Sequence, residues 1–158
     1  MATADQNLDA MQRLAEIEDA TAQLYRRYAG CFPEHQPFWE GLAREEDAHT
    51  RWVRALVANL QAGVITFRDN RFAPDTFRTF LDYLHARMRE ADAYPLSLPA
   101  ALAIGIDIEE SFVERGFFDV FDSDDARART TLQRLSAESA NHLGRLRAYQ
   151  QEQRLAGA

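Results

Sequence analysis

Glu18, Glu46, Glu110 and Glu138 each interrupt an apolar stripe of helical spacing, and two of them have a histidine one turn further on, Glu46 with His49 and Glu138 with His142. A carboxylate in an apolar interior is unfavourable unless a proton or a cation neutralises it. Four carboxylates and two imidazoles converging from four helices are the donor set of a two-metal site, because carboxylates can bridge two like-charged ions while imidazoles complete their coordination. Oxygen and imidazole donors suit iron and manganese, and zinc also accepts them. Glu46 and His49 are three residues apart and Glu138 and His142 four, so each pair shares one helix face. Glu114 lies a turn beyond Glu110, at the edge of the same stripe, as a further candidate ligand.

Such residues meet only if long helices carry them to one point. Glycine and proline are scarce, and they fall between periodic stretches. The periodicity predicts a first helix over residues 9–29, with Met11, Leu14, Glu18, Thr21, Tyr25 and Tyr28 on one face. A second spans 36–61 on the stripe Trp39, Leu42, Glu46, His49, Val53, Leu56 and Leu60. A shorter helix over 74–91 turns Phe77, Phe80, Leu81 and Leu84 inward, with Pro74 in its first turn. A third long helix spans 98–121 on Ala103, Ile106, Glu110, Val113, Phe117 and Val120. The fourth starts at the Ser123, Asp124, Asp125 cap signal and runs to 153, on Thr131, Leu135, Glu138, His142, Arg145 and Tyr149.

Short loops join helices one to two and three to four, and the long link between the hairpins holds its own helix. The expected fold is therefore all-α, a ferritin-like antiparallel four-helix bundle with one long crossover. A faint repeat agrees: Glu18 to Glu46 is 28 residues, as is Glu110 to Glu138, and an offset of 92 aligns Leu14, Glu18, Thr21 and Tyr25 with Ile106, Glu110, Val113 and Phe117.

The chain resembles the rubrerythrin-like branch of the ferritin-like superfamily over nearly its whole length. The carriers are Leu42 to His49 (Leu-Ala-Arg-Glu-Glu-Asp-Ala-His), Ile108-Glu109-Glu110 with Glu114, and Glu138 to His142. The resemblance implies a non-haem di-iron centre reacting with hydrogen peroxide or dioxygen, usually in a homodimer, as a peroxidase or ferrous-iron oxidase that limits oxidative damage. It makes Glu46 and Glu138 the bridging ligands, with Glu18, Glu110, His49 and His142 terminal. Tyr25, two turns beyond Glu18, resembles a tyrosine found near such centres. Full-length rubrerythrins add a small iron domain with paired Cys-x-x-Cys motifs; the single Cys31 supplies none, so electrons are expected from a separate donor. The usual extra carboxylate three residues after the first falls here on Val113. Two other readings stand beside this one: an iron-binding storage module without turnover, and a di-iron hydroxylase of a lipid or quinone.

The chain has 158 residues, the size of one domain, enough to bury roughly 70% of its unfolded surface. A net charge of −7 argues against nucleic acid or an anionic membrane as partner. One cysteine excludes an internal disulfide framework, residues 1–8 lack the apolar core of a signal peptide, and no run is apolar enough to cross a bilayer, so a cytoplasmic setting is expected. His35 is expected in a solvent-exposed loop, His85 on the surface of the crossover helix or against the bundle, Cys31 buried or at a boundary, and Phe112, Phe117, Phe118 and Phe121 in the core or a dimer contact. Glu45 and Glu109 flank the ligand candidates and are expected behind them or in solvent, while Asp19, Asp107 and Asn141 are candidates to orient the imidazoles. The competing arrangement pairs the glutamates with arginines such as Arg44 or Arg145.

Overall fold

Helix formers and well-placed caps set the architecture. The computed structural model describes residues 3–68 and 75–157. Among them are five α-helices: α1 (Ala4–Cys31), α2 (Gln36–Gln61), α3 (Thr76–Ala93), α4 (Leu98–Arg115) and α5 (Ala126–Ala156). A 3-10 turn at Pro33–His35 joins α1 to α2, and the only β pairing among the described residues is the isolated bridge Phe67 to Ser123. Pro74, expected in the first turn of α3, lies outside the described residues.

α1 begins with a capping box: the Thr3 hydroxyl accepts from the Gln6 backbone N–H at 3.2 Å, and Gln6 Oε1 accepts from the Thr3 N–H at 2.8 Å. α4 and α5 have a simpler cap, the Ser97 and Asp125 side chains accepting from the Ala100 and Ala128 backbone N–H groups. α4 stops earlier than the apolar pattern predicts because Gly116 adopts the left-handed conformation at φ 58°. The chain then turns, and Phe117, Phe118 and Phe121 enter the core from that turn rather than from a helix.

α1 packs along α2 on one side and α3 on the other, α4 pairs with α5, and α2 meets α5. Edge-on aromatic contacts of Phe77 and Phe80 with Phe117 tie α3 to the end of α4. The link after α2 is fastened to the α4–α5 turn, where the Arg68 N–H donates to the Asp122 carbonyl at 2.8 Å, and to α1, where the Asn7 side chain donates to the Phe67 carbonyl at 3.1 Å. No helix of the described residues is long and apolar enough to cross a membrane.

The expected stripes of α1 and α2 are the buried ones, apart from the half-buried Leu60 at the end of α2. That of α4 is rotated by one residue. Leu102, Gly105, Glu109 and Phe112 face inward, whereas Ala103 and Val113 are exposed and Ile106 and Glu110 are half-buried. α5 buries Leu132, Leu135, Ser139, His142 and Leu146, so Leu135 and His142 keep their expected places while Glu138 and Arg145 move to the rim. Gly105 fits this α4 register: a Cβ there would lie 3.1 Å from Leu146 Cδ2 and 3.6 Å from the Trp39 ring, so the glycine sits where α4 packs tightly against α5 and α2. Cys31 is exposed, not buried, because it ends α1. His35 is half-buried rather than in open solvent, with Nδ1 2.7 Å from the Tyr149 hydroxyl.

Candidate metal centre

Five ionisable side chains lie in the middle of this apolar interior. Glu18, Glu46, His49, Glu109 and His142 each retain at most 1% of their exposure. The helices bring them there by ordinary amphipathic periodicity, since each continues a buried stripe of its own helix.

Glu46 is the hub. Its Oε2 lies 3.0 Å from His49 Nδ1, and its Oε1 lies 2.7 Å from His142 Nδ1. One carboxylate thus faces two imidazoles from two helices, and the rings stack 5.1 Å apart at 18°. Glu18 flanks the first imidazole, with Oε2 3.8 Å from His49 Nδ1, a charge contact too long for a hydrogen bond. Glu109 flanks the second, with Oε1 3.5 Å from His142 Nδ1. The Tyr25 hydroxyl donates to that same Glu109 oxygen at 2.7 Å.

The outer nitrogens are held symmetrically from the opposite helix. His49 Nε2 contacts Glu138 Oε2 at 2.8 Å, and His142 Nε2 contacts Glu45 Oε2 at 2.7 Å. Arginines brace both outer carboxylates: Arg134 meets Glu138 at 3.0 Å and Arg145 meets Glu45 at 2.5 Å. These outer pairs fix the ring orientation that aims both Nδ1 atoms at the interior.

Burial and close charge contacts together set the protonation of the cluster. Burial pushes Glu18 well above the ordinary carboxylate range, and the adjacent Glu46 charge adds to this. Burial likewise pushes Glu109 up to about 7, helped by Glu46. Burial opposes ionisation of Glu46 too, but the His142 and His49 contacts outweigh it and hold this carboxyl well below its usual range. Burial disfavours the imidazolium ions, yet the surrounding carboxylates raise His49 to about 12 and His142 to about 11. Tyr25 is raised well above the usual phenol value, chiefly by burial and then by the Glu109 charge. Even so, both oxygens of Glu18 and Oε2 of Glu109 are buried without a hydrogen-bond partner. These carboxylate oxygens are acceptors without a donor, set around inward-facing imidazole nitrogens, a condition that a bound cation relieves. Donor atoms of Glu46, His49 and His142 all lie within 4.8 Å of one another, so this buried group can hold a metal ion.

Among the residues singled out by sequence, Glu18, Glu46, His49 and His142 come together, with Tyr25 behind Glu109. Glu110 does not join them: its side chain points to the surface and pairs with Arg147. Glu114 is exposed at the end of α4. Glu138 reaches the cluster only at the outer nitrogen of His49, not between the two half-sites. The interior carboxylate of α4 is Glu109, and the outer partner of His142 is Glu45, both assigned from sequence to supporting or solvated positions. The orienting groups are Glu45 and Glu138 rather than Asp19, Asp107 or Asn141.

An offset of 93, not 92, exposes the relation between α2 and α5: Leu42, Glu45, Glu46 and His49 correspond to Leu135, Glu138, Ser139 and His142. Every pair but Glu46 and Ser139 keeps its residue type. Comparison with protein-family models, with curated proteins and with solved structures finds no match.

Proposed function

We propose that this chain is a ferritin-like, rubrerythrin-like protein that holds two metal ions, iron foremost, and reduces hydrogen peroxide or dioxygen with electrons from an external donor. The observation that carries the reading is the placement of Glu46, whose two oxygens face two different Nδ1 atoms at 3.0 and 2.7 Å. Around it the donors divide into two sets of three: Glu18, His49 and Glu46 Oε2; Glu109, His142 and Glu46 Oε1. Oxygen-rich sets with one imidazole each favour iron or manganese.

The bound metals would supply the one-electron chemistry. The chain's own residues do the rest. Glu46 spans the half-sites, and Glu45 and Glu138 keep both imidazoles turned inward. Tyr25 fixes Glu109 through its hydroxyl and, at 0% exposure, helps exclude water behind it. The apolar walls around the cluster keep the carboxylate charges unscreened by solvent.

The test is metal content after anaerobic loading with ferrous iron, followed by peroxide addition. Wild type is expected to hold two ions per chain and to consume peroxide steadily when a reductant is present. Glu46→Ala should lose two-metal binding; unchanged stoichiometry would overturn the assignment. Iron binding without turnover would favour sequestration as the function.

A further inference from the structure

An external donor has to pass electrons to a cluster whose inner residues retain at most 1% of their exposure. A line of aromatic side chains leads from that cluster to the surface beside the α1–α2 turn. The Tyr25 hydroxyl donates to Glu109 at 2.7 Å, and the Tyr25 ring lies 5.5 Å from that of Trp39. The Phe38 ring lies 5.4 Å from Trp39 and stacks on Tyr149 at 3.8 Å and 6°. The Tyr149 hydroxyl is 2.7 Å from His35 Nδ1. Tyr25 and Trp39 are fully buried, whereas Phe38, Tyr149 and His35 are half-buried and reach solvent. Electron transfer weakens steeply with distance, and neighbouring rings give it short steps.

Proton acceptors decide where on this line an electron can be given up. A tyrosine that loses an electron becomes a very strong acid, so it also needs a base within hydrogen-bond reach. Tyr28 lies 5.0 Å from Trp39, but its hydroxyl is buried without a partner. Trp39 Nε1 is likewise buried without a partner, so an oxidised indole there has no base for its proton. Tyr149 has an imidazole at hand, and a ring nitrogen of neutral histidine accepts a proton. A second aromatic side chain, Trp52, is half-buried with its ring 5.5 Å from His49. The Arg134 guanidinium sits 4.2 Å over the Trp52 ring, and that charge opposes a second positive charge on the indole.

We propose that Tyr149, with His35 as its proton acceptor, is a redox-active tyrosine that takes electrons from the external donor and passes them by way of Phe38, Trp39 and Tyr25 to the metal centre. This rests on the two-metal reading above and deepens it by giving the donor its point of entry. Reduction of dioxygen to two waters takes four electrons, with four protons from solvent. Two ferrous ions give two of the electrons, and two more come through Tyr149, one at a time. In each step the Tyr149 phenol loses one electron to the line and its proton to His35. A one-electron reductant such as ascorbate then returns an electron to the phenoxyl radical, and the proton moves back from His35.

The test mixes the full-length, ferrous-loaded chain with oxygenated buffer, without other reductant, and reads the rapidly frozen sample by electron paramagnetic resonance. Ring-deuterated tyrosine in the chain identifies a tyrosyl radical by the narrowing of its signal. Wild type should show such a radical, and ascorbate should remove it. Tyr149→Phe should bind as much iron as wild type and lose the ascorbate-sensitive signal. His35→Gln should also keep its iron and lose most of the signal, while Trp52→Phe should leave it unchanged. An ascorbate-sensitive radical of equal yield in Tyr149→Phe would overturn the inference, as would its loss in Trp52→Phe. Wild type that oxidises its iron without forming a tyrosyl radical would overturn the inference and leave the two-metal reading intact; no iron uptake would overturn both. If Tyr149→Phe does not fold, His35→Gln decides, and a full signal there overturns the inference.

Discussion

Glu109→Gln separates a functional carboxylate from a structural one. In the metal-free protein Glu109 is fully buried, with its pKa raised to about 7 from the ordinary 4.5. A carboxyl raised on folding keeps its proton in the native state at pH values where the unfolded chain has lost it. Between about pH 4.5 and 7 the native state therefore binds more protons, and stability falls as pH rises. Above pH 7 the accumulated penalty is roughly 3 kcal/mol, from 2.5 units at about 1.36 kcal/mol each. Glutamine keeps the shape and still accepts from the Tyr25 hydroxyl but never ionises. Metal-free Glu109→Gln should be more stable than wild type at pH 8 by up to about 3 kcal/mol, roughly 6–12 °C in melting temperature for a chain of this size. Most of that gap should close at pH 5. Its metal content should fall below that of wild type. The neighbouring Glu110→Gln removes only a half-exposed pair with Arg147, so it should shift stability by less than about 1 kcal/mol and leave metal content unchanged. Denaturant titration of chelator-treated protein at both pH values, with elemental analysis of loaded samples, measures all of this. A Glu109→Gln protein of unchanged stability and full metal content, beside a Glu110→Gln protein that loses metal, would refute the α4 register and the argument built on it.

Because His49 and His142 carry raised pKa values of about 12 and 11, both are cationic at pH 7, and metal uptake should release about two protons per chain from the imidazoles, plus a contribution from Glu18, whose pKa is also raised. An indicator titration in weak buffer detects this, apparent metal affinity should climb with pH, and loading without acidification would contradict imidazole ligation. Tyr25→Phe should destabilise the metal-free protein by about 1–3 kcal/mol, since it removes the hydroxyl that donates to a fully buried carboxylate oxygen; a melting temperature equal to that of wild type would count against the contact. Gly144→Ala, which meets nothing within 4 Å, should raise stability by about 0.5–1 kcal/mol, while in Gly105→Ala the same helix-propensity gain is offset by the new methyl meeting Leu146 at 3.1 Å, so this variant should be the less stable of the two. Thermal melts should place Gly144→Ala above Gly105→Ala, and the reverse order would count against the packing at Gly105.

The first helical hairpin is readable from sequence because its signals are redundant. Trp39, Leu42, Val53 and Leu56 leave α2 a single way to face the core, and Pro37 and Gly63 mark its ends. Glu18, Glu46 and His49 therefore fall where periodicity puts them. The second hairpin is ambiguous for a definite reason. Neighbouring helical residues differ by about 100° around the axis, and α4 carries two glutamates side by side. The stripe Ala103, Ile106, Glu110, Val113 is as plausible on apolar grounds as Leu102, Gly105, Glu109, Phe112. What decides between them is tertiary: Gly105 must face Leu146 and Trp39, and Arg147 across the surface takes Glu110. Glycine has no hydrophobic signature, so the residue that fixes the register is silent in a search for apolar periodicity. The same one-residue rotation hides Ser139, since a search for carboxylates settles on Glu138 beside it. That rotation changes the chemistry as well as the burial. With an offset of 92 the hairpins read as equivalent, each giving two ligand carboxylates. With 93 Glu46 stands opposite Ser139, so that of the two related helices only α2 brings a carboxylate between the imidazoles.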